Sequence, residues 1–210
     1  MGGTIPAIAE SVGTPEPDMH RIASLLLLAA ALAGSTFAAT AQPAEPADLV
    51  ASQVEAMRTL AMLDGAWRGP ATVIQAGGSR ITFVQTERIG PFLGGSIKVI
   101  EGRGYDDAGG VRFNAFGIVS FDPTTRTYTL HSHALGRVGD FAFVPTGDGY
   151  RWEIPLASGR IRYVATVGAD ELHEVGDLVV EGREPVRIFE MRLTRIGATD
   201  WPAAGAVGPK

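Results

Sequence analysis

The chain is expected to fold as an all-β protein, a closed antiparallel up-and-down β-barrel of about ten strands preceded by one amphipathic α-helix. Three observations predict this. After Gly65 apolar residues recur with period two, turn-forming residues return about every ten to fifteen positions, and no βαβ rhythm or second helical stretch appears. Short connections favour sequential antiparallel pairing, and a meander of this many strands avoids exposed edges most simply by closing on itself. A two-sheet sandwich is the alternative that pattern alone leaves open.

In chain order, Met19-His20-Arg21 leads into the apolar stretch Ile22 to Ala33 and then into small residues ending Ala39-Thr40-Ala41. This is the pattern of a secretory signal peptide, with cleavage expected before Gln42. Glu10, Glu16 and Asp18 are wrong for a positively charged leader and point to Met19 as the true start. A membrane anchor is the competing reading, since Ile22 to Ala41 nearly reaches the ~20 residues of a spanning helix. Gly34, Ser35, Thr36 and the Ala-x-Ala ending favour removal, which places the mature chain in the periplasm or outside the cell, with no transmembrane segment after cleavage. The expected layout is a signal peptide over 1–41, a linker over 42–47, helix plus barrel over 48–196, and a loose Gly- and Pro-rich tail over 197–210.

Between Asp48 and Leu63, the residues Val50, Val54, Met57 and Ala61 fall at helical spacing, with Asp48 placed to cap the first free amides. Beyond Gly65 the turns are marked by Gly77-Gly78, Gly90-Pro91 with Gly94-Gly95, Asp106 to Gly110, Asp122-Pro123, Gly136, Gly147 to Gly149, Ser158-Gly159, Gly168 to Asp170 and Gly182-Arg183. Between them, Phe113, Ala115, Gly117, Val119 and Phe121 share one strand face, and Ile161, Tyr163, Ala165 and Val167 share another. Gly69-Pro70 is a candidate bulge.

Composition excludes several functions. A formal net charge of −5, with acidic residues spread along the chain, argues against the basic surface that nucleic-acid phosphates demand. Cysteine is absent, which removes disulfide scaffolds, thiolate metal sites and thiol nucleophiles.

The first strand opens Leu63-Asp64-Gly65-Ala66-Trp67-Arg68-Gly69. This Leu-x-Gly-x-Trp-x-Gly opening after a short helix resembles the lipocalin-like branch of the calycin superfamily, in particular a large bacterial family of uncharacterised lipocalin-like domains. Gly104-Tyr105-Asp106, the Phe121 to Tyr128 turn, the Gly182 turn and the closing Phe189 to Arg195 fit the same layout, over roughly residues 57–196. The resemblance implies a barrel with an interior cavity and, in most members, no assigned activity. With an even number of strands the first and last run antiparallel, so Trp67 should lie near Arg195 or Arg192 and close the barrel through a cation–π contact worth roughly 0.5–2 kcal/mol.

The candidate ligand-binding side chains are Phe83, Phe116, Tyr163 and Arg162. Arg160, Arg162, Arg187 and Arg192, among Glu174, Asp177 and Glu190, make the most charged part of the wall and suit an anionic group. Counting back from the Ala169-Asp170 turn sets Arg162 opposite Asp177, so an exterior ion pair is the simpler reading of that arginine. His131-Ser132-His133 puts both imidazoles on one strand face, a possible metal edge whose third ligand would come from His173, Glu174 or Asp177. Solvated or hydrogen-bonded histidines are the preferred reading, and no metal or other cofactor is called for. In the nitrobindin-like branch of this barrel class the axial histidine of haem lies close to the C-terminal strand; the last histidine here, His173, precedes it, and the match fails. Glu87 and Glu101, on neighbouring strands, are a possible acid/base pair whose ordinary reading is scattered surface carboxylates.

Three functions follow, in order of preference. The first is an exported barrel holding a small, largely apolar molecule. Next comes an envelope-associated interaction module that docks through the helix or a barrel mouth. The last is a metal-assisted enzyme at His131 and His133, and a non-enzymatic role is preferred.

Overall fold

The structure, a computed structural model, describes residues 45–75 and 77–202. The signal-peptide segment and the last part of the tail, 203–210, lie outside the described residues.

Helix α1 spans Pro46–Arg58, starting slightly earlier than the periodicity suggests. Pro46 sits at the first helical position, where its missing N–H leaves no donor unsatisfied. Asp48 is therefore not the cap; it lies in the first turn, its own amide donating to Glu45 O, and its charge favours the positive end of the helix. The helix stops at Arg58, and a short 3₁₀ turn at Ala61–Leu63 carries the chain into the barrel.

Ten strands follow: β1 (Gly65–Ile74), β2 (Arg80–Phe92), β3 (Ile97–Tyr105), β4 (Val111–Asp122), β5 (Thr127–Ala134), β6 (Arg137–Thr146), β7 (Gly149–Leu156), β8 (Gly159–Val167), β9 (Glu171–Val179) and β10 (Val186–Gly197). Each pairs antiparallel with the next, and β10 pairs back onto β1, so the sheet is a closed barrel and not a sandwich. The seam has Trp67 opposite Arg195.

Gly69 explains itself at this seam. A Cβ there would meet the Arg192 carbonyl oxygen at 2.0 Å, so only glycine lets β1 and β10 approach. The expected bulge at Gly69-Pro70 is absent from the seam; its irregularity falls one turn earlier, between Ala66 and Trp67.

One end of the barrel is filled. Trp67, Leu60, Leu63, Ile89, Val119, Leu172 and Leu193 are buried there, joined by Met57 of α1. The helix lies across this end, where Tyr128 Oη donates to Ala56 O at 3.0 Å and Gln53 Nε2 to Phe121 O at 3.3 Å. Arg195 locks the arrangement. Its guanidinium stacks 3.9 Å from the Trp67 ring centre and donates to Met62 O at 2.9 Å, to Ala169 O at 2.7 Å and to Asp64 O. The Trp67 indole N–H is itself satisfied by Leu63 O at 2.9 Å. Lys98, only 2% exposed, pairs with Asp64 beside this plug.

The opposite end is ringed by the hairpin turns of β1–β2, β3–β4, β5–β6, β7–β8 and β9–β10. Past β10 the chain is not loose from Gly197 onward. Trp201 packs edge-on against Phe92, with ring centres 5.7 Å apart, and Arg88 lies over its indole. The tail is thus held along β2 as far as Trp201.

Candidate functional site

Strand alternation decides what enters the barrel. On β2 it sends Phe83, Gln85, Glu87 and Ile89 inward; on β9 it sends Leu172, Glu174, Gly176 and Leu178 inward. Near the turn-ringed end the interior carries a belt of aromatic rings. Trp152 of β7 and Tyr163 of β8 stack at 4.3 Å with planes 9° apart; Phe141 adjoins Trp152 at 5.4 Å, and Phe189 meets Tyr163 edge-on at 6.0 Å. Phe83 belongs to the same end, lying over Gly104 and close to Phe113. These rings are half-buried, whereas the plug residues at the helix end are enclosed.

Inward glycines make this belt possible. A Cβ at Gly176 would meet Tyr163 Cε1 at 2.8 Å, one at Gly104 would meet Phe83 Cε2 at 2.7 Å, and one at Gly139 would meet Phe141 Cζ at 2.5 Å. The rings therefore lie flat against bare backbone instead of standing out toward the axis.

Between belt and plug sits a polar cluster. Glu174, 7% exposed, accepts from the Trp152 indole N–H at 3.1 Å, with the buried Tyr150 on the same strand as Trp152. Glu87 accepts from Gln85 Nε2 at 2.6 Å. Gln85 is 2% exposed and its amide oxygen has no partner. Burial pushes the Glu87 carboxyl up to about 8, with the Gln85 hydrogen bond opposing and the Glu174 charge adding. Burial likewise raises Glu174 to about 7, against the hydrogen bonds from Trp152 and Tyr150. Burial first and then the Glu174 charge raise Tyr163 to about 12, and burial followed by the Glu174 and Glu87 charges also raises Tyr150. Among the described residues no cation pairs with either carboxylate: Lys98 is taken by Asp64, and Arg195 by Trp67 and backbone carbonyls.

The residues singled out in the sequence are divided by this geometry. Phe83 and Tyr163 are in the belt. Phe116 is not; with Phe113, Ala115 and Gly117 turned inward it faces out, 38% exposed, beside His133, Leu135 and Val138 in a surface hollow of about 380 Å³. Arg162 also lies on the outer face, opposite Asp177 in register as the turn count requires, but Asp177 takes Arg187 as its ion-pair partner at 2.6 Å. The arginine-rich wall is an exterior surface and grips no interior anion. Of the two closure candidates, Arg195 covers Trp67; Arg192 points outward to Glu190 and Glu171.

His131 and His133 are on the outer wall as well. His131 bonds Asp140 through Nδ1 at 2.8 Å and Ser120 through Nε2 at 2.9 Å, which occupies both ring nitrogens. His173 pairs with Glu190 at 3.0 Å. Among the described residues no group of three metal-ligating side chains forms. Glu87 and Glu101 do not form a pair: Glu101 faces outward to Arg103, and the true neighbour of Glu87 is Glu174, from the far side of the barrel sequence. The sequence pattern suggests Glu174 as part of the charged wall or as a third metal ligand, and not as an interior carboxylate. The missed signal was its phase, since Glu174 alternates with the apolar Leu172 and Leu178.

No protein-family model matches the chain, and a comparison with curated proteins finds no match. Among solved structures the chain is similar to Rv2717c from M. tuberculosis, at 15% identity and a TM-score of 0.51, over 67% of this chain and 96% of that one. At that identity the likeness concerns the fold alone.

Proposed function

We propose that the chain is a binding barrel that admits a small, largely apolar molecule through its turn-ringed end. The observation that carries this reading is the half-buried interior belt of Phe83, Phe141, Trp152, Tyr163 and Phe189, rings turned inward and packed flat over glycines at the end that α1 leaves uncovered. Rings in that position offer apolar contact to a guest and gain by covering themselves. The Leu-x-Gly-x-Trp-x-Gly opening supports placing the barrel in the lipocalin-like group, and the Met19 to Ala41 pattern supports export to the periplasm or beyond.

An interaction module docking through α1 has less support, because Met57, Ala56, Leu60 and Leu63 are engaged in closing the barrel and only Val50 is left exposed among the large apolar residues of the helix.

Titration with N-phenyl-1-naphthylamine, neutral at pH 7 and fluorescent in apolar surroundings, tests the reading. One saturable site is expected, weakened roughly two- to tenfold in Trp152→Ala, by loss of stacking of the size aromatic pairs contribute. Absence of saturable binding, or binding untouched by Trp152→Ala and Tyr163→Leu alike, would overturn it.

A further inference from the structure

We propose that the guest is a cationic amine, its ammonium group received by Glu87, Glu174 and the Gln85 amide oxygen and its apolar body held by the aromatic belt. The inference rests on the binding-barrel reading and names the chemistry of the occupant.

Hydrogen-bond accounting inside the barrel leads to it. The donors that geometry places on the cluster are the Trp152 N–H, which serves Glu174, and one N–H of the Gln85 amide, which serves Glu87. With both groups ionised, what remains is a surplus of acceptors, namely the remaining lone pairs of the two carboxylates and the Gln85 Oε1, which has no partner although its residue is 2% exposed. Buried polar atoms in folded proteins are nearly always paired, so an orphan acceptor on the amide that holds the half-buried Glu87, turned into the interior that also contains the buried Glu174, asks for a donor from outside the chain. An ammonium supplies up to three donors at one point.

Charge gives the same answer independently. Two carboxylates share a low-dielectric interior, and among the described residues the interior cations are engaged at the plug, Lys98 with Asp64 and Arg195 with Trp67, Met62 O and Ala169 O. Their resistance to ionisation, most marked at Glu87, expresses that imbalance. A bound cation offsets it; a carboxylate or phosphate guest would deepen it. The belt fits the same chemistry. The stacked faces of Trp152 and Tyr163 stand directly beside Glu174, and electron-rich ring faces favour cations within about 6 Å. A neutral apolar molecule would use the rings and leave the acceptors unsatisfied. A free metal ion is disfavoured because no group of three metal-ligating side chains forms among the described residues.

The test holds the apolar body constant and varies its charge. Isothermal titration at pH 7.5 is run with 1-naphthylmethylammonium, 1-naphthylmethanol and 1-naphthoate on the purified chain and on its Glu87→Gln and Glu174→Gln variants. The ammonium should bind at least about tenfold more tightly than the alcohol, the increment expected of one charge-assisted hydrogen bond, and the naphthoate more weakly than either. In Glu174→Gln the ammonium should fall to the affinity of the alcohol while the alcohol is unchanged. Equal binding of ammonium and alcohol, or tighter binding of the naphthoate, would overturn the amine proposal and leave the binding barrel standing. Failure of all three, together with the neutral fluorescent probe, would overturn both. The wild-type ranking decides the matter even if a variant fails to fold.

Discussion

Raising the pH from 5 to 8 should destabilise the unliganded barrel, and the interior carboxylates set the size of the effect. In the unfolded chain Glu87 and Glu174 ionise at the usual glutamate value of 4.5; in the folded barrel they hold their protons to about 8 and about 7. Between those limits the folded state binds more protons than the unfolded one, so stability is greatest below pH 4.5 as far as these groups are concerned and falls until the folded values are passed. Each group contributes about 1.4 kcal/mol per pH unit over its own window. Summed over both groups and reduced for water reaching the turn-ringed end, the loss between pH 5 and 8 is on the order of 5 kcal/mol. For a domain of this size that corresponds to a fall in Tm of roughly 10–20 °C.

The groups whose acidity moves the other way do not disturb this window. Asp106 and Asp122 are held below the usual range first by backbone amides, of Gly110 and Thr124, and Glu190 first by its His173 hydrogen bond. All three are ionised in both states above pH 5, and the stability they supply is lost only in acid. Scanning calorimetry of the purified chain from pH 5 to 8, beside a Glu87→Gln, Glu174→Gln double variant, isolates the interior pair from the histidines common to both proteins. The double variant should lose most of the pH dependence and exceed the wild type in Tm at pH 8. Superimposable profiles, or a wild-type Tm that climbs across this range relative to the variant, would refute the reasoning.

Three further outcomes follow from particular contacts. Arg195→Met should lower stability by about 3–5 kcal/mol in urea denaturation, because Met62 O, Asp64 O and Ala169 O all lose a charged donor and Trp67 loses its covering cation. Gly176→Val should destabilise by about 1–3 kcal/mol through the clash with Tyr163, and by turning that ring into the interior should weaken binding of the neutral fluorescent probe. The His131→Ala, His133→Ala double variant should fold with stability within about 0.5–1 kcal/mol of the wild type, read by the same denaturation, since the His131 contact to Asp140 is an exposed one.

The barrel and its seam were legible from the sequence for a physical reason. Turn residues and period-two alternation are local signals, and closure of an even-stranded meander brings the first strand to the last, which is how Trp67 could be placed near Arg195 before any coordinates. Choosing Arg195 over Arg192 needed one more fact, the register shift between Arg187 and Phe189, which sets the phase of β10 so that Phe189, Met191, Leu193 and Arg195 turn inward. Phe116 shows a different failure. The alternation that turns Phe113 and Ala115 inward already turns Phe116 out, so its size suggests a place in the interior that its phase does not give it. The interior carboxylates were least legible. Glu87 and Glu174 share one interior only because the β1–β10 seam closes, which brings β2 and β9 within three strands of each other around the barrel, a relation that no short-range pattern records.

The division of the interior also bears on why such a pair is tolerated. Two interior carboxylates with no cation paired to them among the described residues work against folding, and a domain of this size cannot absorb many such penalties. Here the apolar plug at the helix end, with Trp67, Leu60, Leu63, Leu172 and Leu193 fully enclosed, and the Arg195 and Lys98 ties around it, hold the barrel shut independently of the belt half. Stability and recognition are thereby assigned to opposite ends of one cylinder. The belt half is free to keep an unfavourable charge arrangement that a cationic guest would relieve, and the pH dependence of the empty barrel measures how much relief is on offer.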